Sequence, residues 1–189
     1  MDLEGVLVPE IWIAFAEKTG IPELRLTTRD VADYDELMRH RLDILRKHDL
    51  RLKDIQEVIA GMSPLPGAVE YMKWLSERYP NIILSDTFYQ FAAPLMKQLG
   101  NPLVVDQDGR VTGYKLRQPD GKRHAALAFK QLNFRLVAMG DSFNDTAMLA
   151  EAGLGILFRP SDKVRQQFPQ FPVVNEYSQV MQLIENFDR

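Results

Sequence analysis

At 189 residues the chain is long enough for one hydrophobic core with a small accessory unit. Its 23 Lys and Arg against 26 Asp and Glu give a net charge of -3, which argues against general nucleic-acid binding. Cysteine is absent, so disulfides, thiolate nucleophiles and Cys-bound zinc are excluded, and His40, His48 and His124 form no paired metal motif.

Pro9 and Glu10 suit the first turn of a helix, and a helical stretch follows from about Ile11 to Lys18 and stops at Gly20. Asp30 to His48 predicts a longer helix, with Tyr34, Leu37, Leu42 and Leu45 near a 3.6-residue repeat, and Leu52 to Ala60 another, ended by Gly61. With no strand among them, residues 12–65 read as a helical cap domain, and 1–11 with 66–189 as an α/β core. From Pro66 the pattern alternates: helix 67–78, strand 81–84, helix 88–99 closed by Gly100, and a short strand 103–105. An Asp-Gly turn at 106–109 leads into 110–116 as a hairpin. Helix 120–132, strand 134–139, helix 143–151, strand 154–158, a helix from Ser161 and a last helix 177–187 follow. Such alternation predicts a mostly parallel sheet covered by helices on both faces. Trp12 and the pair Phe88-Tyr89 can line a site, with apolar packing the default reading.

Three acidic and polar segments carry the chemistry. Asp2 and Glu4, one residue apart, share a side of an extended segment, where their repulsion calls for a cation or a shared proton. Such a pair can divide phosphoryl transfer between a nucleophile and an acid/base, although an acidic chain terminus would look the same. Ser85-Asp86-Thr87 follows the apolar run Ile82 to Leu84, and its hydroxyls and amides can bind phosphate oxygens or cap a helix. Gly140-Asp141-Ser142-Phe143-Asn144-Asp145 follows Leu136 to Met139. The glycine permits a sharp turn, Asp141 or Ser142 can cap the next helix, and Asp141 with Asp145 can face a magnesium ion, which prefers carboxylate oxygens. Lys122 opens a helix after a Pro-Asp-Gly turn, from which it can reach a crevice at the strand ends.

In this order the segments resemble the haloacid-dehalogenase-like phosphatase superfamily, within it the phosphoserine phosphatase group, and most closely its ThrH-type phosphoserine phosphatase/homoserine phosphotransferase members. The resemblance spans essentially the whole chain, with Gly140 to Asp145 its most specific part. It implies a Rossmann-like core with a small helical cap, a Mg2+ cofactor, and O-phospho-L-serine as substrate with homoserine as a possible acceptor. Asp2 then matches the nucleophile, Glu4 the acid/base and Lys122 the neutralising lysine. Ser85 matches the residue holding the transferring phosphoryl group, with Asp86, Thr87 and Asn144 beside it. Asp2, the backbone carbonyl of Glu4 and Asp141 match metal ligands, and Asp145 supports the metal from behind. Glu10 and Arg41 match the positions that grip the amino acid's ammonium and carboxylate.

Two departures from ordinary phosphoserine phosphatases fit the ThrH-type subgroup: Glu4 stands for the usual aspartate, and Asp86-Thr87 for a small glycine-rich stretch. A third is that family members carry an apolar strand ahead of the nucleophile where this chain has Met1, so the first core strand is expected to be truncated by a shortened chain start. The expected setting is the cytoplasm, since no apolar run reaches a bilayer's span and the start lacks a signal peptide's layout. Two other functions stay open, a phosphatase for another small phosphate ester and a noncatalytic protein that holds metal or phosphate without turnover.

Overall fold

The computed structural model describes residues 1–92, 103–105, 111–114 and 120–189. Its first helix, α1 (Ile11–Thr19), buries Ile11, Trp12, Phe15 and Ala16 along one face and ends at Gly20, whose φ of 68° few other residues adopt readily. The helix starts at Ile11, as expected, and the Ile11 amide, which has no partner within the helix, donates to Glu4 Oε2 at 3.0 Å. The next, α2 (Tyr34–Lys47), begins later than Asp30, since Asp33 caps it by accepting from the Glu36 amide at 3.0 Å. Asp30 instead closes its own turn, accepting from the Thr27 amide and hydroxyl at 3.0 and 3.2 Å. With α3 (Leu52–Ala60), these helices pool Ile11, Phe15, Met38, Leu45, Ile55 and Ile59 into one buried cluster that also takes in Phe88 and Phe91.

The remaining elements are α4 (Ala68–Ser76), α5 (Tyr89–Ala92), β1 (Leu103–Val105), β2 (Val111–Tyr114) and α6 (Gly121–Gln131), then β3 (Val137–Gly140), α7 (Thr146–Glu151), β4 (Leu154–Phe158), α8 (Asp162–Gln167), β5 (Val173–Val174) and α9 (Tyr177–Asp188). β3, β4 and β5 form a parallel sheet, with Val137 opposite Leu154 and Leu157 opposite Val173. β4 reads Leu-Gly-Ile-Leu-Phe without alternation because both of its faces are covered. Phe158 faces α4 and α9, where it stacks on Tyr177 at 4.7 Å and Tyr177 on Tyr71 at 5.0 Å. Leu157 faces the other layer, with Ala126, Met148, Leu149 and Val164. The two-residue β5 is too short to leave a periodic trace in the sequence.

β1 and β2 pair antiparallel, Leu103 opposite Tyr114, as expected of a hairpin, while the 106–109 turn lies outside the described residues. So does the predicted helix beyond Ala92. The expected strand 81–84 is not a regular strand. It pairs with Met1, whose ammonium donates to the Ile82 carbonyl at 2.9 Å and whose carbonyl accepts from the Leu84 amide at 2.8 Å. On the other side the Asp2 amide donates to the Met139 carbonyl at 3.0 Å, so Met1-Asp2 lies between that segment and β3. An apolar cleft of about 290 Å³, walled by Leu75, Leu84, Ala138, Met139 and Ile184, lies beside Met1. Among the described residues no helix is long and apolar enough to cross a membrane.

Candidate active site

The site sits at the carboxyl end of β3, where strand ends in an α/β sheet converge. Gly140 is required there, since a Cβ would land on the side chain of Asp145. Asp145 folds back under the loop: its Oδ2 accepts from the amides of Asp141 and Ser142 at 3.0 and 3.2 Å, and its Oδ1 from Lys122 Nζ at 2.8 Å. Ser142 caps the helical turn Phe143–Asp145, as expected of Asp141 or Ser142, and Asp145 completes that capping box and organises the loop. Both its oxygens are satisfied, which is what a fully buried carboxylate needs.

Lys122, 4% exposed at the start of α6, lies 2.9 Å from Asp2 Oδ1 and 3.4 Å from Asp86 Oδ2 as well. One ammonium thus joins three carboxylates. Asp2 Oδ1 also accepts from the Leu3 amide at 2.8 Å, so both of these bonds fall on one oxygen and Oδ2 is left for chemistry. Asp2, Asp141 and Asp145 bring carboxylate oxygens within 4.8 Å of one another, all three buried. An all-oxygen donor set without His or Cys fits a hard cation such as Mg2+.

Around this centre lies a cavity of about 50 Å³, room for roughly four waters. Asp2, Glu4, Ser85, Asp86, Thr87 and Lys122 line its base, with Asn144 beside them, and Glu10, Trp12, Tyr34, Arg41 and Phe88 line the helical side. Glu4 is held at both oxygens, by the Ile11 amide and the Thr87 hydroxyl. The Ser85 hydroxyl accepts from the Thr87 amide at 3.1 Å, and Asn144 Nδ2 donates to Asp86 Oδ2 at 2.8 Å. Every residue predicted for the site therefore falls on the cavity or directly behind it. Trp12 and Phe88, for which packing was the default expectation and lining the site the alternative, are buried and line the cavity as well.

Arg41 is buried on α2. It donates to the Leu26 carbonyl at 3.0 Å and stacks over the Trp12 ring at 4.5 Å, and its Nε has no hydrogen-bond partner among the described residues. A buried, unsatisfied guanidinium N–H is costly unless a ligand completes it. Arg29 was not anticipated. Its Nε donates to Asp141 Oδ2 at 2.5 Å and lies 3.8 Å from Glu10 Oε1. It occupies a polar turn without periodicity, 112 positions from Asp141.

Charge and burial shape the ionisation. Burial would lower Lys122, but Asp145, Asp2 and Asp86 together hold its ammonium well above the ordinary lysine range. Burial would raise Asp145, yet Lys122 and the two loop amides hold it below the usual carboxylate value. Asp2 goes the other way, pushed up by burial and by Asp145 across from it, against the pull of Lys122. Burial lifts Asp141 to about 6 against the pull of Arg29. Glu10 rises to about 8 through burial and the charges of Glu4 and Asp141. Carboxyls raised in this way mark a site short of positive charge.

A family profile described as "Hydrolase: haloacid dehalogenase-like hydrolase" matches residues 1–153. The chain is 60% identical over 183 residues to phosphoserine phosphatase ThrH of Pseudomonas aeruginosa, covering 94% of this chain and 89% of that protein. It is 58% identical over 186 residues to a phosphoserine phosphatase of Pseudomonas syringae pv. tomato, covering 95% of this chain and 78% of that one. A solved structure described as a phospho-aspartyl intermediate analogue of phosphoserine phosphatase superposes with a TM-score of 0.72 at 21% identity, covering 96% and 95% of the two chains. A phosphoserine phosphatase in apo form gives 0.68 at 23% identity, covering 88% of each. At such identities the structural likeness is one of fold.

Proposed function

The chain belongs to the haloacid dehalogenase-like hydrolases, and we propose that it is a Mg2+-dependent phosphoserine phosphatase that also passes phosphate to homoserine. The observation that carries this reading is a single cavity with two chemistries. A buried Asp2–Lys122–Asp145 cluster forms its base, and Glu10 with the unsatisfied Arg41 faces it from the helical side. The base suits a phosphate, and the far wall suits the ammonium and carboxylate of an amino acid, since a guanidinium matches a carboxylate. Close relatives bear the name phosphoserine phosphatase, one of them ThrH. Helices α1 to α3 would serve as the cap over the substrate, with residues 12–65 as that unit. A cytoplasmic setting suits a small-metabolite enzyme of this kind.

Asp2 Oδ2 attacks phosphorus, the ester P–O bond breaks, and Glu4 as general acid gives a proton to the leaving serine oxygen. Glu4 then takes a proton from water. That water forms the new P–O bond, the bond to Asp2 breaks, and inorganic phosphate leaves with the Asp2 carboxylate restored. When the hydroxyl of homoserine replaces water, the product is phosphohomoserine. Lys122 keeps Asp2 in place and offsets the phosphoryl charge, while Ser85 and the neighbouring Thr87 and Asn144 orient its oxygens. Asp2, Asp141 and the Glu4 carbonyl would hold Mg2+, with Asp145 steadying the loop behind. Once bound, the ion supplies positive charge against the phosphoryl oxygens.

The test is Mg2+-dependent release of phosphate from O-phospho-L-serine, followed by phosphorus NMR with and without L-homoserine. A phosphohomoserine signal is expected in its presence, and free phosphate alone would remove the transferase half. Asp2→Asn should carry no covalent phosphate after incubation with radiolabelled substrate. Persistent label in that variant would refute Asp2 as nucleophile. Folded protein that leaves phosphoserine intact would refute the substrate.

A further inference from the structure

Arg29 is a basic side chain at the site for which the proposed chemistry has no task. Its guanidinium meets Asp141 through Nε at 2.5 Å and through a terminal nitrogen, and both contacts fall on Oδ2. The two-oxygen fork of a strong arginine–carboxylate pair is not made. Glu10 Oε1 lies 3.8 Å from the same Nε, so a second carboxylate is within reach of a small side-chain movement. Gly5, at a φ of 70°, faces both groups, and a Cβ there would meet Asp141 Oδ2 and the Arg29 guanidinium. The glycine leaves the space that this contact needs.

Among the described residues, the turn carrying Arg29 has few other ties to the core. The Phe143 amide donates to the Thr28 carbonyl at 3.4 Å, and the Ser161 hydroxyl to the Arg29 carbonyl at 3.3 Å. Lys163 Nζ donates to the Asp30 carbonyl at 2.8 Å in an exposed position. Among these ties, Arg29 to Asp141 is the charged, largely buried one.

We propose that Arg29 and the divalent cation compete for Asp141, so that metal binding releases the 27–30 turn of the cap from the core. Without the cation, the guanidinium neutralises Asp141 and keeps the turn docked. With the cation bound, two positive charges would share one buried carboxylate, where water screens them little, and Arg29 leaves Asp141. The coupling is reciprocal: the factor by which docked Arg29 weakens the cation is the factor by which the cation weakens docking. The inference rests on Asp141 being a metal ligand, as the proposed function has it.

The experiment is calorimetric titration of Mg2+ into the full, metal-free protein and into Arg29→Gln and Arg29→Lys, without substrate. Alongside it, hydrogen exchange of residues 27–31 is followed with and without Mg2+. Arg29→Gln should bind Mg2+ about tenfold more tightly, and Arg29→Lys close to the parent protein. Mg2+ should speed exchange in 27–31 of the parent and leave that of Arg29→Gln unchanged. Equal or weaker Mg2+ binding by Arg29→Gln overturns the competition, because Arg29 would then be a support for Asp141. Unchanged exchange in the parent protein overturns it too, even if the glutamine variant fails to fold. Mg2+ binding to the parent protein tests the metal reading separately, and its absence would remove both.

Discussion

Replacing Lys122 with methionine tests whether the buried cluster depends on one cation. Methionine keeps an unbranched stem of similar length and removes only the charge. Lys122 Nζ lies 2.8 Å from Asp145 and 2.9 Å from Asp2, both deeply buried, and 3.4 Å from Asp86, whose side chain is 29% exposed. At an effective dielectric of about 20 each of the two close pairs has a Coulomb energy near 6 kcal/mol, and desolvation offsets most of it. The Asp86 contact adds less, because water screens it. Removing one partner of a buried pair costs about 3–5 kcal/mol, since the other is left uncompensated. For a chain of this size that lowers Tm by roughly 6–20 °C. The pH dependence sharpens the test. In the parent protein Asp145 is held low, so its contribution is present above its unfolded pKa and fades as pH falls through the folded one. Without Lys122, burial raises Asp145 instead, so the variant gains stability as pH falls from about 8 to 5. Urea denaturation of both proteins at pH 5 to 8, with EDTA, reads the two slopes. A stability loss under about 1 kcal/mol at pH 7.5, or one that does not shrink on acidification, would refute the reasoning.

Three further outcomes are expected. Arg41→Ala should raise the KM for phosphoserine about 10–100-fold, the equivalent of a charged hydrogen bond, with a smaller change in kcat. An unchanged KM would remove Arg41 from substrate binding. Glu10→Gln should gain stability relative to the parent as pH rises from about 5 to 8.5 in metal-free protein. The raised Glu10 carboxyl leaves the folded state holding a proton that the unfolded chain has lost across that window, so ionising it costs stability. Parallel denaturation curves for the two proteins would count against the burial of Glu10. Gly5→Ala should cost at least about 1–2 kcal/mol from its left-handed backbone alone and should abolish turnover, because the new methyl displaces Asp141. Wild-type turnover in a folded Gly5→Ala protein would show that Asp141 need not hold its position.

The fold was legible where the pattern was long. The apolar stripes of α2 and α3 and the all-apolar β4 state their own burial. Boundaries were less legible where a cap decides them, as when Asp33 accepts from the Glu36 amide and α2 starts later than Asp30. Asp141 and Asp145 were readable because loop and strand end are adjacent in sequence. Their division of labour was not, since it depends on which carboxylate turns back under the loop to meet two amides and Lys122. Arg29 left no motif. A tally of charge could have pointed to it, because buried carboxylates at three separated places require more cations than Lys122 supplies. The orphaned Nε of Arg41 is likewise a property of packing against Trp12 and Met38, which spacing alone does not reveal.

The same tally bears on selectivity. Asp2, Glu4, Glu10, Asp86, Asp141 and Asp145 surround the site, against Lys122, Arg29 and Arg41. Inorganic phosphate entering such a site meets a surplus of its own charge. A divalent cation at the aspartates reverses that surplus locally and leaves Glu10 and Arg41 to be answered on the opposite wall. An ammonium next to a carboxylate answers both at once, and a plain phosphate ester answers neither. On the proposed function, rejection would follow from Arg41, because a ligand without the amino-acid carboxylate leaves its buried guanidinium N–H unsatisfied. On this reasoning the far wall selects by the cost of leaving it empty, and the base, which any phosphate ester could occupy, adds no discrimination of its own.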